Sequence, residues 1–245
     1  MSWNQGFHLE MNEPRKIRVY LLPGLDGTGR LLDAFVEKCP PGFEAVPIAY
    51  PPNRILSYEE LADVISNNIE VDAPMILLGE SFGGPLSLRL ASLNPRNLIG
   101  VVLVATFVRP PALSLARFLP WRIGFRMRAP VYAIRAALAG KTASGALLQS
   151  AREVLQHVSP DVLAARVRSV LAVDARDWLK NCPAPILYLA GKQDTLVKPR
   201  CFETIKMIRP DVMHREISAP HFVLQIAPSE AWRAIEDFVA EGRVV

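Results

Sequence analysis

The sequence predicts an α/β fold: a mostly parallel sheet with helices on both faces and a helical segment inserted between two strands. Two observations carry this. Short apolar, β-branched runs alternate with segments of helical spacing as far as residue 106 and again from residue 181, the pattern of strands joined by crossover helices. From Phe107 to about Lys180 the alternation stops and only helical patterns remain, broken by RPP, LPW, RAP, AGKTASG and SPD. Residues 1–106 and 181–245 are therefore read as one core, and 107–180 as a helical insertion within it.

IRVYLL (17–22) runs into the turn residues PGLDGTG, as a buried strand does where it ends. RLLDAFVEKC follows with helical spacing, then the strand EAVPIAY and the helix SYEELADVISNNIE. The strand PMILLGE leads into a helix from Phe82 to about Leu93, and the strand LIGVVLVAT closes the first half. Beyond the insertion come the strand PILYLAG, the helix RCFETIKMI, the strand VMHREI and the terminal helix SEAWRAIEDFVAE. No internal repeat, low-complexity tract or long linker interrupts this order.

Composition narrows the function classes. Half of the 245 residues are hydrophobic and 21% are charged, as expected of a folded domain rather than a disordered tail. The segment MSWNQGFHLEMNEPRK has no basic stretch followed by an apolar core, which argues against a secretory signal. The longest apolar run, LIGVVLVATFV, is about half of the ~20 residues a membrane helix requires. A cytoplasmic protein with no transmembrane segment is expected. Cys39, Cys182 and Cys201 are odd in number and lack CxxC spacing, so they read as buried free thiols rather than disulfides or zinc ligands. Charge is uneven: residues 107–180 hold twelve Lys and Arg against four Asp and Glu, while the rest of the chain holds sixteen against twenty.

The chemistry is concentrated at one corner. Gly79-Glu80-Ser81-Phe82-Gly83 fits G-x-S-x-G between a predicted strand and a predicted helix. Such a bend strains the serine backbone, and glycines on either side leave room for the neighbouring strand and helix. The turn lifts the hydroxyl above the sheet and aims the helix N-terminus at the group it attacks. A serine that merely caps the helix accounts for Ser81 but not for three surrounding glycines.

A serine nucleophile needs a base and a group to orient that base. Of the four histidines, His8 lies in the irregular N-terminus, His157 in the insertion and His214 within a strand pattern. His221, in SAPHF just past a strand, stands at the edge where parallel-sheet active sites form. Asp194, in AGKQDTLVKP after another strand, is the candidate acid, with a turn-capping aspartate as its ordinary alternative. The order Ser81, Asp194, His221, each member following a strand, favours chemistry.

On GESFGG, GKQDTLV and APHF the sequence resembles the α/β-hydrolase superfamily over nearly its whole length, with the insertion where that superfamily carries its cap. The resemblance implies an oxyanion hole built from the N–H of Phe82 and an N–H of the PGLDGTG loop, with Leu25 the candidate. Many relatives carry His-Gly there, whereas this chain has Pro23-Gly24. The same loop fits GxxxxG from Gly24 to Gly29. Arg30-Leu31 follows where a P-loop needs Lys and Ser or Thr, which argues against an NTPase.

The expected activity is cleavage of a small-molecule carboxylic ester or thioester through an acyl-enzyme, with no metal and no cofactor. Transfer of the acyl group to an alcohol is the alternative, because PGLDGTG and GESFGG also resemble plant-type esterase/acyltransferase relatives. A non-catalytic ligand-binding homologue is the third reading. In the cap, Leu113, Phe118, Trp121 and Phe125 are candidates to line an acyl pocket, alongside Leu115, Leu119 and Ile123. Arg117, Arg122, Arg126, Arg128 and Arg135 suit docking of an acidic acyl carrier protein, contact with anionic lipid, or a solvated helix face. Small capped esterases that remove a methyl ester from a carrier-bound acyl chain in biotin synthesis share this layout. No nucleic-acid partner is expected.

Overall fold

The computed structural model describes residues 16–70, 72–111, 119, 121–126 and 143–243. Six strands form a single sheet: β1 (Ile17–Leu22), β2 (Phe43–Pro47), β3 (Met75–Glu80), β4 (Leu98–Val104), β5 (Ile186–Gly191) and β6 (Met213–Ile217). The sheet order is β2-β1-β3-β4-β5-β6, and every neighbouring pair is parallel. From β1 the chain moves outward to β2, then returns across β1 to lay down β3. That reversal opens a crevice at the carboxyl ends of β1 and β3, where ligands of such sheets bind.

Ten described α-helices, with a 3-10 turn and a π turn besides, surround the sheet. A 3-10 turn (Arg30–Leu32) and α1 (Asp33–Glu37) replace the single helix expected over RLLDAFVEKC. The turn begins at Gly29, which sits in the left-handed region at φ 74°, with no side-chain cap to draw the chain straight into an α-helix. Next come α2 (Tyr58–Ser66) and α3 (Gly83–Ser92), then α4 (Trp121–Arg126), α5 (Gly145–Gln156), α6 (Pro160–Val170) and α7 (Arg176–Lys180) within the insertion. After β5 follow α8 (Pro199–Ile208), α9 (Val223–Ile226) and α10 (Pro228–Phe238), the last running into a π turn at Val239–Arg243. α2 starts at a full capping box, with Ser57 and Glu60 each accepting from the other's backbone N–H.

The period-2 alternation of buried strands divides the core into two layers. Tyr20, Leu22, Leu77, Val101, Leu103 and Tyr188 face α2, α3 and α7. Val19, Leu21, Ile76, Leu78, Val102 and Leu189 face α1 and α10. On that second side Trp232 stacks on Phe35 at 4.4 Å and donates its indole N–H to the Phe35 carbonyl at 2.7 Å. Each such side chain, fully buried, contributes about 1.5–3 kcal/mol.

The insertion does not pack as one block. Leu148 and Ala151 of α5 cover Phe222 and Leu31, and Val162 and Leu163 of α6 cover Leu25 and Phe125, all near the carboxyl ends of the strands. Leu179 of α7, with Val173 and Ala175 before it, joins the α2/α3 layer against the sheet face. Cys182 and Cys201 are buried free thiols, whereas Cys39 is only half-buried. Among the described residues no helix is long and apolar enough to cross a membrane.

Candidate active site

Ser81 takes a left-handed backbone, φ 50°, at the tip between β3 and α3. For a residue with a side chain this conformation is costly, and it persists only where its surroundings over-determine it. Three contacts do so: the Ser81 N–H donates to Val104 at 2.9 Å, and its carbonyl accepts from Gly84 N at 3.1 Å and from the Thr106 hydroxyl at 2.6 Å. Thr106 is in turn held by Tyr188, whose hydroxyl donates to the Thr106 carbonyl at 2.8 Å. The glycines make the close approach sterically feasible. A Cβ at Gly83 would collide with the Leu22 carbonyl of β1, and one at Gly79 with the Gly83 carbonyl.

Above this corner the three sequence-predicted polar groups meet. His221 Nε2 lies 3.0 Å from Ser81 Oγ, and His221 Nδ1 lies 2.8 Å from Asp194 Oδ2. The second oxygen of Asp194 accepts from the backbone N–H groups of Leu196 at 2.8 Å and Val197 at 3.0 Å. Burial alone would raise the Asp194 pKa. The hydrogen bond and charge of His221 and the two backbone donors outweigh it and hold the carboxyl below its ordinary value. An ionised Asp194 only accepts, so Nδ1 carries the imidazole proton and Nε2 is free to accept from the serine hydroxyl. The acid and histidine loops are fastened together by backbone bonds, Gln193 N to Ala219 O at 3.0 Å and Lys192 N to Ile217 O at 2.9 Å.

Phe82 follows the serine at the head of α3, and Leu25 lies in the loop after β1 next to Gly24, where an added Cβ would stand 3.9 Å from Ser81 Cβ. Among the described residues neither N–H has a protein acceptor. The Gly24 carbonyl is turned away to accept from Gly27 N at 3.1 Å, which sends the trans-related Leu25 N–H to the opposite side of that peptide. The Phe82 ring is buried against Tyr58, stacked at 4.7 Å, and Tyr50, tilted at 6.0 Å. Arg166 of α6, 5% exposed, reaches into the same loop and donates to the carbonyls of Leu25 at 3.0 Å, Asp26 at 2.7 Å and Pro51 at 3.2 Å. Its guanidinium also lies over the Tyr50 ring at 5.3 Å. Burial lowers the Arg166 pKa.

Beside the serine, Glu80 is buried at the end of β3. Gln225 of α9 donates its amide N–H to Glu80 Oε2 at 3.1 Å. Burial pushes the Glu80 pKa up to about 7, although the Gln225 hydrogen bond and the charge of His221 pull the other way.

The remaining histidines stay apart from the serine. His157 is exposed, with Nδ1 2.8 Å from the Glu153 carbonyl, and His214 stacks on Phe202 at 3.9 Å; His8 lies outside the described residues. Of the cap candidates, Phe125 packs beside Leu25 and Val162, and Trp121 is half-buried at the start of α4. Leu119 and Ile123 are exposed. Leu113, Leu115 and Phe118 lie outside the described residues, as do Arg117, Arg128 and Arg135. Arg122 pairs with Asp161 at 2.6 Å. Among the described residues no group of His, Cys, Asp and Glu could hold a metal ion.

Sequence reasoning missed Glu80, Gln225, Arg166 and Thr106 as parts of this corner. Two had a visible signal, an acid ending the buried run MILLGE and a threonine ending LIGVVLVAT. Arg166 and Gln225 had none, because helical periodicity does not say which distant loop a side chain reaches.

A parallel sheet in this order, with a serine turn after β3 and acid and histidine loops after β5 and β6, defines an α/β-hydrolase. The family model described as serine aminopeptidase, S33, matches residues 58–209, well over half of the chain, and the chain belongs to that family. It is similar to a pimeloyl-[acyl-carrier protein] methyl ester esterase of Neisseria meningitidis serogroup A, 25% identical over 91% of this chain and 76% of the relative. A serogroup C relative of the same description is 25% identical over 91% of this chain and 93% of its own length. Among solved structures, a thermophilic esterase from Thermogutta terrifontis superposes with a TM-score of 0.79 at 19% identity, over 95% of this chain and 92% of the other. The enol-lactonase of Burkholderia xenovorans LB400 gives 0.78 at 18% identity, over 94% and 93%.

Proposed function

We propose that this protein is a serine carboxylesterase. The observation that carries the reading is the continuous relay from Ser81 Oγ through His221 to Asp194, with spacings of 3.0 and 2.8 Å. His221 Nε2 removes the hydroxyl proton as Ser81 Oγ attacks the ester carbonyl carbon, while Asp194 fixes the ring and stabilises the imidazolium. The N–H groups of Phe82 and Leu25 receive the oxyanion, and such a donor is worth roughly 3 kcal/mol in the transition state. The imidazolium then protonates the departing alkoxide, leaving an ester on Ser81. Water, deprotonated by the same imidazole, hydrolyses that ester and restores the enzyme.

The substrate class is an acyl chain carried as a methyl ester or thioester, delivered by an acidic acyl carrier protein. The names of the Neisseria relatives support it, as does the excess of Lys and Arg in residues 107–180. That segment acts as the cap, with Trp121 and Phe125 contributing to an acyl pocket. The test is incubation with pimeloyl-acyl carrier protein methyl ester, following methanol release across a salt series. Turnover that is lost in S81A and whose KM rises with salt supports the reading. Absence of ester cleavage on this substrate and on p-nitrophenyl esters of graded chain length overturns it. Acyl transfer to an added alcohol in preference to water would reassign the enzyme as a transferase.

A further inference from the structure

Glu80 and Gln225 form a buried acid–amide pair that the relay above does not use. The pair is joined by one hydrogen bond, Gln225 Nε2 to Glu80 Oε2 at 3.1 Å. Among the described residues the other carboxyl oxygen, Glu80 Oε1, has no partner, and neither has the amide oxygen of Gln225. An ionised carboxylate leaves both oxygens orphaned, because each can only accept. One proton on Glu80 Oε1 turns that oxygen into a donor. Acid and amide can then join head to head, N–H to carboxyl oxygen and O–H to amide oxygen, with no buried acceptor left over.

We propose that Glu80 is a positioning residue for His221: neutral and locked to Gln225 in the resting site, it ionises as the pH rises, and its charge then favours the imidazolium formed when Ser81 is deprotonated. The inference rests on the esterase reading above. The charged and titratable groups that act on Glu80 come from each element around it: His221 from the loop after β6, Asp26 from the loop after β1, and the Tyr50 phenol from the segment after β2. Asp26 raises the Glu80 pKa and is itself engaged by Thr28, whose hydroxyl donates to it at 2.6 Å. Tyr50 is a neutral phenol, held far from ionisation by burial, and donates to the Pro23 carbonyl at 3.0 Å. His221 is thus the neighbour whose charge changes during the reaction. The attraction is mutual, so an imidazolium eases loss of the Glu80 proton and an ionised Glu80 eases formation of the imidazolium.

The E80Q variant keeps both hydrogen bonds to Gln225 and removes the titration. With p-nitrophenyl butyrate as probe, the acid limb of kcat/KM in the wild type is expected to be steeper than a single ionisation, since protonation of Glu80 withdraws the charge that favours the transition state. In E80Q it should become a single-proton limb displaced to lower pH, with a plateau above about pH 8 reduced roughly three- to tenfold. Superposable wild-type and E80Q profiles overturn the proposal.

A second readout is independent of turnover. Infrared difference spectra of S81A should contain the C=O stretch of a protonated carboxylic acid, fading as the pH rises through about 7 and absent from the S81A/E80Q double variant. That band without ester cleavage by the wild type sinks the esterase reading, and the proposal with it, while leaving the acid–amide pair. Ester cleavage without the band sinks this inference alone. If E80Q fails to fold, Q225L replaces it. Removing the amide donor should carry the acid band to higher pH, and an unmoved band overturns the proposal.

Discussion

Arg166 and Leu25, 141 residues apart, meet where the guanidinium of α6 donates to the Leu25 carbonyl at 3.0 Å. Through this bond and those to Asp26 and Pro51 the helical insertion holds the loop that offers the candidate Leu25 donor. Replacing Arg166 by Met keeps the apolar stem but leaves three carbonyls without their donor, which should cost about 2–4 kcal/mol of stability. If the loop shifts, kcat should fall more than KM changes, by roughly 10- to 100-fold. Lysine at 166 restores the charge without the fork and should recover only part of the loss. Urea denaturation together with ester kinetics reads both effects; a stable R166M with unaltered kcat would show the loop to be held by other contacts.

Two glycines separate backbone necessity from coincidence. A Cβ at Gly83 would meet the backbone of β1, which cannot move without breaking its ladder to β3. G83A should therefore destabilise the fold by about 3 kcal/mol or more. At Gly145, the first residue of α5, a Cβ meets nothing within 4 Å. G145A should stabilise by about 0.4–1 kcal/mol by restricting the unfolded chain. Thermal melts of the two variants should move in opposite directions.

The contrast between these positions tracks what was legible in the sequence. IRVYLL, PMILLGE and PILYLAG could be read as strands because each is a short, mostly apolar run bounded by turn residues, too short for a helix and rich enough to be buried on both faces. Ser81, Asp194 and His221 could be read because each follows a strand in an order that topology then brings to one rim. Arg166 could not. It lies in PDVLAARVRSV, where Arg166 and Arg168 look alike, yet the former is buried against the loop after β1. The Gln225 amide was equally silent, because its partner depends on how α9 crosses the end of β3. The single predicted helix over residues 30–39 failed at Gly29 for a related reason: a left-handed residue sets the entry angle of the next turn, and periodicity does not encode it.

Asp194 gives a direct check on the relay. In D194N the side chain can present an N–H to Nδ1 and so favour the imidazole tautomer that cannot accept from Ser81. kcat should drop by about 10⁴ with little loss of fold. Labelling of Ser81 by a fluorophosphonate should slow in parallel, since it uses the same base. Loss of turnover with an undiminished labelling rate would place Asp194 outside the activation of the serine.

Stability should vary with pH in a direction set by two buried carboxyls of opposite behaviour. The folded-state pKa of Glu80 is raised from 4.5 to about 7. The native state therefore holds this proton more tightly than the unfolded chain does, so its stabilisation is complete below about pH 4.5 and is lost as the pH rises through 7. That difference is worth about 3 kcal/mol. Asp194 has a depressed pKa, so its contribution is present above about pH 3.8 and is lost as the pH falls through the folded value. Together the two groups favour mildly acid conditions over neutral ones. Chemical denaturation between about pH 4.5 and 8 should show the wild type losing stability with rising pH, and E80Q losing markedly less. Parallel curves for the two proteins would mean that Glu80 is ionised in the folded state throughout that range, and that its orphaned oxygen is satisfied in some other way.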